Sequence, residues 1–304
     1  MQKRNVLHSP RLLELKKRRR RIFLSKILFS ILAFLAVFAL LAYLSRLNGL
    51  NFGKIEVGGN KIVNTEAIKR IVDKTITGNY FYFFPKTNIL YYPAKNIEKE
   101  LQNKFKRLEN INVSVTPTTP SREEAILEIS VTERKALYIW CGAIPPEIEQ
   151  ENKTTCYFLD KDGYIFDEAP YFSGEVYFKF YGFVHKATAE GLTDLASDAP
   201  IGSFFSELNF QKIVAFKEMT EQMGLKPAAL YILSNGDVKM FLSAGKSQKR
   251  PEIIFNIDSS ADILAENLQA ALTTEPLQSN MKNKYFSLLY IDLRYGNKVY
   301  FKFK

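Results

Sequence analysis

ILFSILAFLAVFALLAYL, residues 27–44, organises this chain, because the segment contains no charged residue, no proline and no glycine. At about 1.5 Å per residue a helix of this length spans roughly 27 Å, close to the hydrocarbon thickness of a bilayer. Extending the helix back to Ile22 adds one turn, and Lys26 can reach the headgroups with its ammonium group. A helix lets a single segment cross lipid with its backbone groups paired. The sequence therefore predicts a transmembrane helix over residues 22–44.

The flanking charges indicate how this helix is oriented. Arg46 is the only charged residue between Lys26 and Lys54, whereas the residues just before the helix are strongly basic. Basic residues remain on the cytoplasmic side, so we expect a single-pass, type II protein with residues 1–21 as a cytoplasmic tail. A cleaved signal peptide is the rival interpretation, but its apolar core runs about 7 to 15 residues. The residues that set the orientation and contact anionic lipid are Lys16, Lys17, Arg18, Arg19, Arg20 and Arg21.

The net charge of +10 does not require a nucleic-acid partner. Residues 1–26 contain ten lysines and arginines against Glu14 alone, so nearly all of the excess lies beside the membrane segment. Membrane topology and anionic lipid account for it. A DNA-binding tail is the alternative, but the rest of the chain is electrically balanced. We therefore expect no nucleic-acid partner.

After a connector at residues 45–52, residues 53–133 have the pattern of a small β-α-α-β-β domain. Alternating polarity and turn residues predict the strands, while Asn64 and Pro93 mark the starts of the two helices. Both helices are expected on one face of the sheet. The predicted elements are a strand at 54–60, helices at about 65–72 and 94–108, and strands at 111–115 and 125–131.

Residues 134–304 have the pattern of a mostly antiparallel β domain with flanking helices. Turn signals at Asp162-Gly163, Asn235-Gly236 and Gly296-Asn297 predict three hairpins. Ser259 or Ser260 is expected to cap the second of two helices. The fold class is therefore α+β behind one transmembrane helix. The predicted strands cover 137–140, 156–159, 164–166, 176–180, 230–242 (a hairpin), 252–257, 286–293 and 298–303, and the first helix covers 210–223.

The sequence contains two cysteines and two histidines, too few for a recurring zinc site. Cys141 ends one predicted strand and Cys156 begins the next, so a hairpin would bring them opposite each other. An extracytoplasmic location permits a disulfide between them, although two free buried thiols are the alternative.

No arrangement of catalytic residues stands out. Ser243 and Lys246 match the Ser-x-x-Lys pattern of penicillin-interacting enzymes, but the companion Ser-Asp-Asn and Lys-Thr-Gly motifs do not follow. We therefore expect no enzymatic activity, no cofactor and no small-molecule substrate. A cell-wall enzyme using Ser243 and Lys246 remains the alternative.

The last predicted strand, residues 298–303, alternates apolar and polar side chains. A terminal strand often lies at a sheet edge, where its unpaired backbone groups can accept a strand from another chain. Burial at the centre of the sheet is the alternative.

Taken in order, these parts resemble the FtsQ/DivIB family of bacterial cell-division proteins. The short basic tail and single span precede a domain that opens with IEVGGN at 55–60, and a β-rich domain follows. Further similar stretches are VTER at 131–134 with Trp140, LDKDGYIF at 159–166 and YIDLRY at 290–295 before the final strand.

The resemblance implies that residues 53–133 form a POTRA domain and that the protein is a non-enzymatic scaffold of the divisome, located at the division septum. It implies extracytoplasmic binding of FtsB/DivIC and FtsL type partners. A POTRA-containing adaptor for secretion or assembly is an alternative. In the family, the residues after the Asp-Leu-Arg motif and the last strand receive a partner strand, which implies a binding role for Arg294, Tyr295, Asn297, Val299, Tyr300, Phe301 and Phe303.

Overall fold

The computed structural model describes residues 10–117, 125–146, 154–188, 191–195, 200–206, 208–243 and 250–304. The chain is a mixed α+β protein with one long apolar helix near the N-terminus and one large mixed sheet. It divides into two compact units. The first comprises Met1–Lys104 and Asn110–Thr132, and the second comprises Phe105–Glu109 and Glu133–Lys304.

The first helix, α1, covers Pro10–Leu44 and includes the predicted span. Its segment Glu14–Leu44 is long and apolar enough to cross a membrane, and its most apolar window is not buried within the protein. The helix starts before the apolar segment, so residues 10–21 of the predicted tail are helical. Lysine and arginine favour helices and extend one that the apolar segment already forms. Residues 1–9 lie outside the described part of the chain.

The end of α1 is joined to the rest of the first unit by polar contacts. Asn88 Nδ2 donates to the Ser45 carbonyl oxygen at 3.0 Å, and the hydroxyl groups of Ser45 and Tyr91 are hydrogen-bonded. Asn51 Nδ2 donates to the Leu47 carbonyl oxygen at 2.9 Å. These bonds pair the carbonyl groups of Ser45 and Leu47, just after the last residue of α1, and so fix the chain where it leaves the helix.

The folded part of the first unit contains a three-stranded sheet in the order β1-β5-β4, with β1 parallel to β5. The predicted start of α2 is confirmed, since Asn64 Oδ1 accepts hydrogen bonds from the N–H groups of Glu66 and Ala67. The buried apolar residues of both long helices contribute to the core of this unit. The elements are β1 (Phe52–Gly58), α2 (Thr65–Ile76), β2 (Asn79–Tyr80), β3 (Phe84–Pro85), α3 (Ala94–Lys104), β4 (Leu108–Thr116) and β5 (Ala125–Glu133).

Helix α3 ends at Lys104, so the predicted extension to Leu108 was wrong. Leu108 has the spacing of a helical core residue, but it begins β4 and is fully buried there. The backbone N–H of Arg134 donates to the Arg107 carbonyl oxygen at 2.8 Å. Pairing with a neighbouring strand therefore outweighs the helical periodicity in this segment.

Gly59, at the end of β1, cannot be replaced without distortion. Its φ is +89°, and an added Cβ would lie 2.1 Å from the carbonyl oxygen of Val131. The glycine pair of the IEVGGN stretch therefore includes one position that requires glycine.

The second unit is built on a nine-stranded sheet in the order β17-β16-β15-β14-β13-β9-β6-β7-β8. A small sheet, in the order β11-β10-β12, lies outside it. The strands are β6 (Tyr138–Trp140), β7 (Cys156–Leu159), β8 (Ile165–Ala169), β9 (Lys179–Tyr181), β10 (Val184–Thr188), β11 (Gly191–Leu195), β12 (Phe204–Phe205), β13 (Pro227–Ile232), β14 (Asp237–Leu242), β15 (Glu252–Asn256), β16 (Leu288–Tyr295) and β17 (Lys298–Phe303). The helices are α4 (Phe210–Gln222), α5 (Ala261–Leu272) and α6 (Leu277–Lys284).

The large sheet is mixed, and the expectation of a mostly antiparallel domain holds only in part. Within the described strands, five of its eight neighbouring pairs are antiparallel and three are parallel. The three hairpin predictions are confirmed, at β7–β8, β13–β14 and β16–β17. Ser260 precedes α5 as predicted, but its side chain makes no capping hydrogen bond.

Aromatic side chains and residues of α4, α5 and α6 build the core of the second unit. Phe216 of α4 contacts Phe255 of β15 edge to face, with 4.9 Å between ring centroids. The sequence did not predict α6 or the small sheet. Only Leu277 and Met281 are apolar in the sequence of α6, which is too few to indicate a helix.

Candidate functional site

The final hairpin places β17 at one end of the nine-stranded sheet, not at its centre. A two-residue turn of Gly296, with φ +63°, and Asn297 connects β16 to β17. Asn267 of α5 supports the turn, because its Nδ2 donates to the Gly296 carbonyl oxygen at 2.9 Å. Among the described residues no strand pairs with the outer side of β17.

The two faces of β17 differ as the sequence predicted. Val299, Phe301 and Phe303 are half-buried against the main core of the second unit. Lys298 and Tyr300 are exposed on the opposite face, as is Lys302. The apolar face therefore attaches the strand to its own domain, and no strand of the described ranges covers the backbone edge.

The direction of the backbone groups of β17 follows from its pairing with β16. The N–H of Lys304 donates to the Ser287 carbonyl oxygen at 2.8 Å, so this group points toward β16. Successive residues in a strand alternate their direction within the sheet plane. Lys302 and Tyr300 therefore pair with β16, whereas the N–H and C=O groups of Val299, Phe301 and Phe303 point outward.

Arg294 lies at the end of β16 and is held by two carboxylates. Its Nη2 lies 2.7 Å from Asp292 Oδ2, and its Nη1 lies 2.7 Å from Asp237 Oδ2 on β14. The hydrogen bond with Asp292 is the main cause that raises the pKa of Arg294. Burial opposes ionisation of Asp292, but hydrogen bonds from the side chain and backbone of Arg294, with its charge, hold the pKa of Asp292 below its ordinary value. No sequence pattern predicted the contact with Asp237, which is 57 residues from Arg294.

Two tyrosines form an exposed aromatic pair beside this arginine. The ring centroids of Tyr295 and Tyr300 lie 5.1 Å apart in an edge-to-face arrangement. The two residues are 55% and 51% exposed, and the Arg294 guanidinium lies 5.8 Å from the Tyr295 ring centroid. Exposed tyrosine and arginine are typical of protein–protein binding surfaces. The predicted site residues thus lie together on one hairpin, and Arg294 also has a structural role there.

Several stretches that carry the family resemblance meet elsewhere in the second unit. Arg134 forms a partly buried ion pair with Asp160, and its guanidinium lies 4.2 Å from the centroid of the Tyr164 ring. Asp160 Oδ1 accepts the backbone N–H groups of Asp162 and Tyr164, each at 2.9 Å. Burial is the main cause that raises the pKa of Tyr164. These contacts connect the VTER stretch to the LDKDGYIF hairpin.

The two cysteines form a disulfide. Strands β6 and β7 are antiparallel with Trp140 opposite Tyr157, which places Cys141 opposite Cys156 just beyond that pair. Their Cα atoms are 4.2 Å apart.

The other residues that were predicted to have a functional role are distant from β17 in the sequence. The basic residues Lys16, Lys17, Arg18, Arg19, Arg20 and Arg21 are exposed on α1, just before its apolar part. Ser243 is partly buried, and its carbonyl oxygen accepts a hydrogen bond from the Tyr285 hydroxyl at 2.9 Å. Lys246 lies outside the described residues. Within the described ranges, no group of three His, Cys, Asp or Glu residues is placed to hold a metal ion.

Fold and site together define an α+β protein with one potential membrane-spanning helix and an open sheet edge beside an aromatic pair. No protein-family model matches the sequence, and no curated protein matches it closely enough to count as a relative.

Proposed function

We propose that this protein is a non-enzymatic scaffold of the bacterial divisome, similar to FtsQ/DivIB proteins. Helix α1 anchors it in the cell membrane with the N-terminus in the cytoplasm, and both folded units lie outside, at the division septum. It binds membrane proteins of the FtsB/DivIC and FtsL type, and it acts without a cofactor or a small-molecule substrate. Residues 53–133 serve as a POTRA domain.

The open edge of β17 is the observation that carries this proposal. An incoming strand can pair with the outward N–H and C=O groups of Val299, Phe301 and Phe303 without disturbing their side chains, which pack inward. The exposed rings of Tyr295 and Tyr300 add contact area beside this edge. Arg294 holds the turn end of the hairpin in place through Asp237 and Asp292.

Two further observations support the family resemblance. The first unit has the order strand, helix, helix, strand, strand, with only the short β2–β3 hairpin added. In the second unit, Arg134 and Asp160 bring two of the similar stretches into contact. The contact gives a physical reason for these residue types to occur together.

Replacing Val299 by proline tests the strand addition. Proline removes one outward N–H group and introduces a ring at the edge, while the ladder between β16 and β17 is kept. We expect Val299→Pro to weaken partner binding about tenfold or more, because one backbone hydrogen bond and the close approach of the partner strand are lost. The measurement is quantitative pull-down of the tagged, detergent-solubilised chain with mass spectrometry of the bound membrane proteins.

Val299→Ala is the matched control, because it also loses the branched valine side chain but keeps the N–H group. We expect this variant to retain most of the binding. Equal recovery of division proteins by Val299→Pro and the unchanged chain would contradict strand addition at this edge. Recovery of secretion or assembly components instead would favour the adaptor alternative.

A further inference from the structure

The β2–β3 hairpin in the first unit exposes two aromatic residues at its tip. Phe81 and Tyr82 are 83% and 89% exposed. Their φ values are +48° and +66°, in a region that favours glycine, and such backbone costs roughly 1–3 kcal/mol per residue. Their rings pack against no other aromatic ring in the described part of the chain. Packing within the fold therefore does not explain why aromatic residues occupy this strained turn.

One side of this hairpin, at Phe83 in the turn and Phe84 in β3, packs directly against α1. The Phe38 ring contacts Phe83 and Phe84 edge to face, with centroid distances of 5.4 and 5.5 Å. Nε of Arg46 donates to the Phe83 carbonyl oxygen at 3.3 Å. The hairpin therefore lies beside the C-terminal turns of the potential membrane helix.

The length of α1 determines how deep in the bilayer these contacts lie. A helix crosses about 30 Å of hydrocarbon with roughly 20 residues. Counted from Ile22, the first residue after the basic cluster, such a span ends at Leu41, so Phe38 lies in its outermost turn. A span that ends at Leu44 places Phe38 deeper. In both cases the rings that contact Phe38 lie at the outer boundary of the hydrocarbon or below it.

We infer that the tip of this hairpin, residues 81–83, inserts into the interfacial region of the outer leaflet of the bilayer that α1 crosses. Amphipathic aromatic side chains are enriched at this depth. Tyrosine is one of them, because its ring is apolar and its hydroxyl group is polar. Arg46 is exposed beside the hairpin and supplies a positive charge at the level of the lipid phosphates. The first unit then contacts the membrane at two points, which restricts its tilt relative to the bilayer.

This inference rests on the proposed membrane crossing of α1. The experiment therefore tests the insertion of the hairpin and the crossing of α1 separately. The only cysteines are paired in the disulfide, so an introduced cysteine is the only free thiol. Three single variants of the full chain carry an environment-sensitive nitrobenzoxadiazole label, at Tyr82→Cys, Tyr43→Cys and Gln102→Cys. Tyr43 is exposed in the last turn of α1, and Gln102 is exposed on α3. Each is reconstituted into phosphatidylcholine–phosphatidylglycerol vesicles with and without brominated acyl chains.

We expect the labels at positions 82 and 43 to show blue-shifted emission and quenching by the brominated lipid. The label at position 102 should show water-like emission without quenching. A label at position 82 that behaves like the one at 102, while the one at 43 is quenched, would overturn the insertion of the hairpin and leave the anchor intact. Absence of quenching at position 43 would overturn the anchor, and the hairpin inference with it.

Discussion

Arg294 shows at the scale of one residue how a predicted contact residue can also be structural. The family resemblance implied a partner-binding role, and the structure places the guanidinium between Asp292 and Asp237. Asp292 is only 5% exposed, so its charge depends on this arginine for compensation. The residue types alone did not predict this pairing, because Asp237 lies on β14 and reaches Arg294 only through the order of strands in the sheet.

Substituting Arg294 by methionine, which keeps an apolar stem, should destabilise the second unit by about 1–3 kcal/mol, because the buried carboxylate loses its charged donors. Trp140 is the only tryptophan and is buried in this unit, so its fluorescence reports unfolding there alone. Adding Asp292→Asn should recover part of the loss, because a neutral amide needs no counter-charge. Strictly additive effects of the two substitutions would argue against the coupling.

The ion pair between Asp292 and Arg294 also predicts that the stability of the second unit depends on pH. The pKa of Asp292 is lower in the folded protein than its ordinary value of 3.8. The contribution of Asp292 to stability is therefore complete above the ordinary pKa and is lost as the pH falls through the lower folded-state pKa. Acid titrations monitored by Trp140 fluorescence should show a shallower loss of stability for Asp292→Asn than for the unchanged chain. Identical acid profiles would contradict this assignment.

At the scale of secondary-structure elements, local signals predicted most helices and strands, and the errors occur where tertiary contacts override them. Asn64, the glycine turns and alternating polarity identified α2, the hairpins and the long strands. The spacing from Leu101 to Leu108 is helical, but Leu108 is buried in β4. The parallel neighbours of the large sheet were also not predictable, because they join strands distant in sequence.

The disulfide between β6 and β7 should stabilise the second unit, because it restricts the unfolded chain. It closes a loop with a sequence separation of 15 residues, which predicts about 3 kcal/mol of stabilisation in the chain-entropy model. Addition of a reductant should lower the denaturant midpoint seen by Trp140 fluorescence. A Cys141→Ser, Cys156→Ser double variant should be less stable and insensitive to the reductant. Two maleimide-reactive thiols in the denatured, unreduced chain would disprove the bridge.

At the scale of the whole molecule, the proposed role depends on which side of the membrane carries the folded units. The exposed basic residues of α1 before Ile22 should retain that end in the cytoplasm. We expect an alkaline phosphatase fused after Lys304 to be active in cells. Replacing the six residues from Lys16 to Arg21 by glutamine should lower that activity, because most of the charge difference across the helix is lost. An inactive fusion on the unchanged chain would contradict both the topology and the scaffold proposal.

The sequence by itself determined the long apolar helix, the α+β class, the hairpin turns and the two faces of the last strand. These follow from hydrophobic length, from side-chain periodicity and from residues that need a particular backbone conformation, all of which are local properties. Only the tertiary structure decided that β17 lies at the sheet edge, that Arg294 pairs with Asp237, and that the β2–β3 hairpin packs against Phe38. Those contacts join residues far apart in the chain, and their positions depend on how the strands and helices pack together.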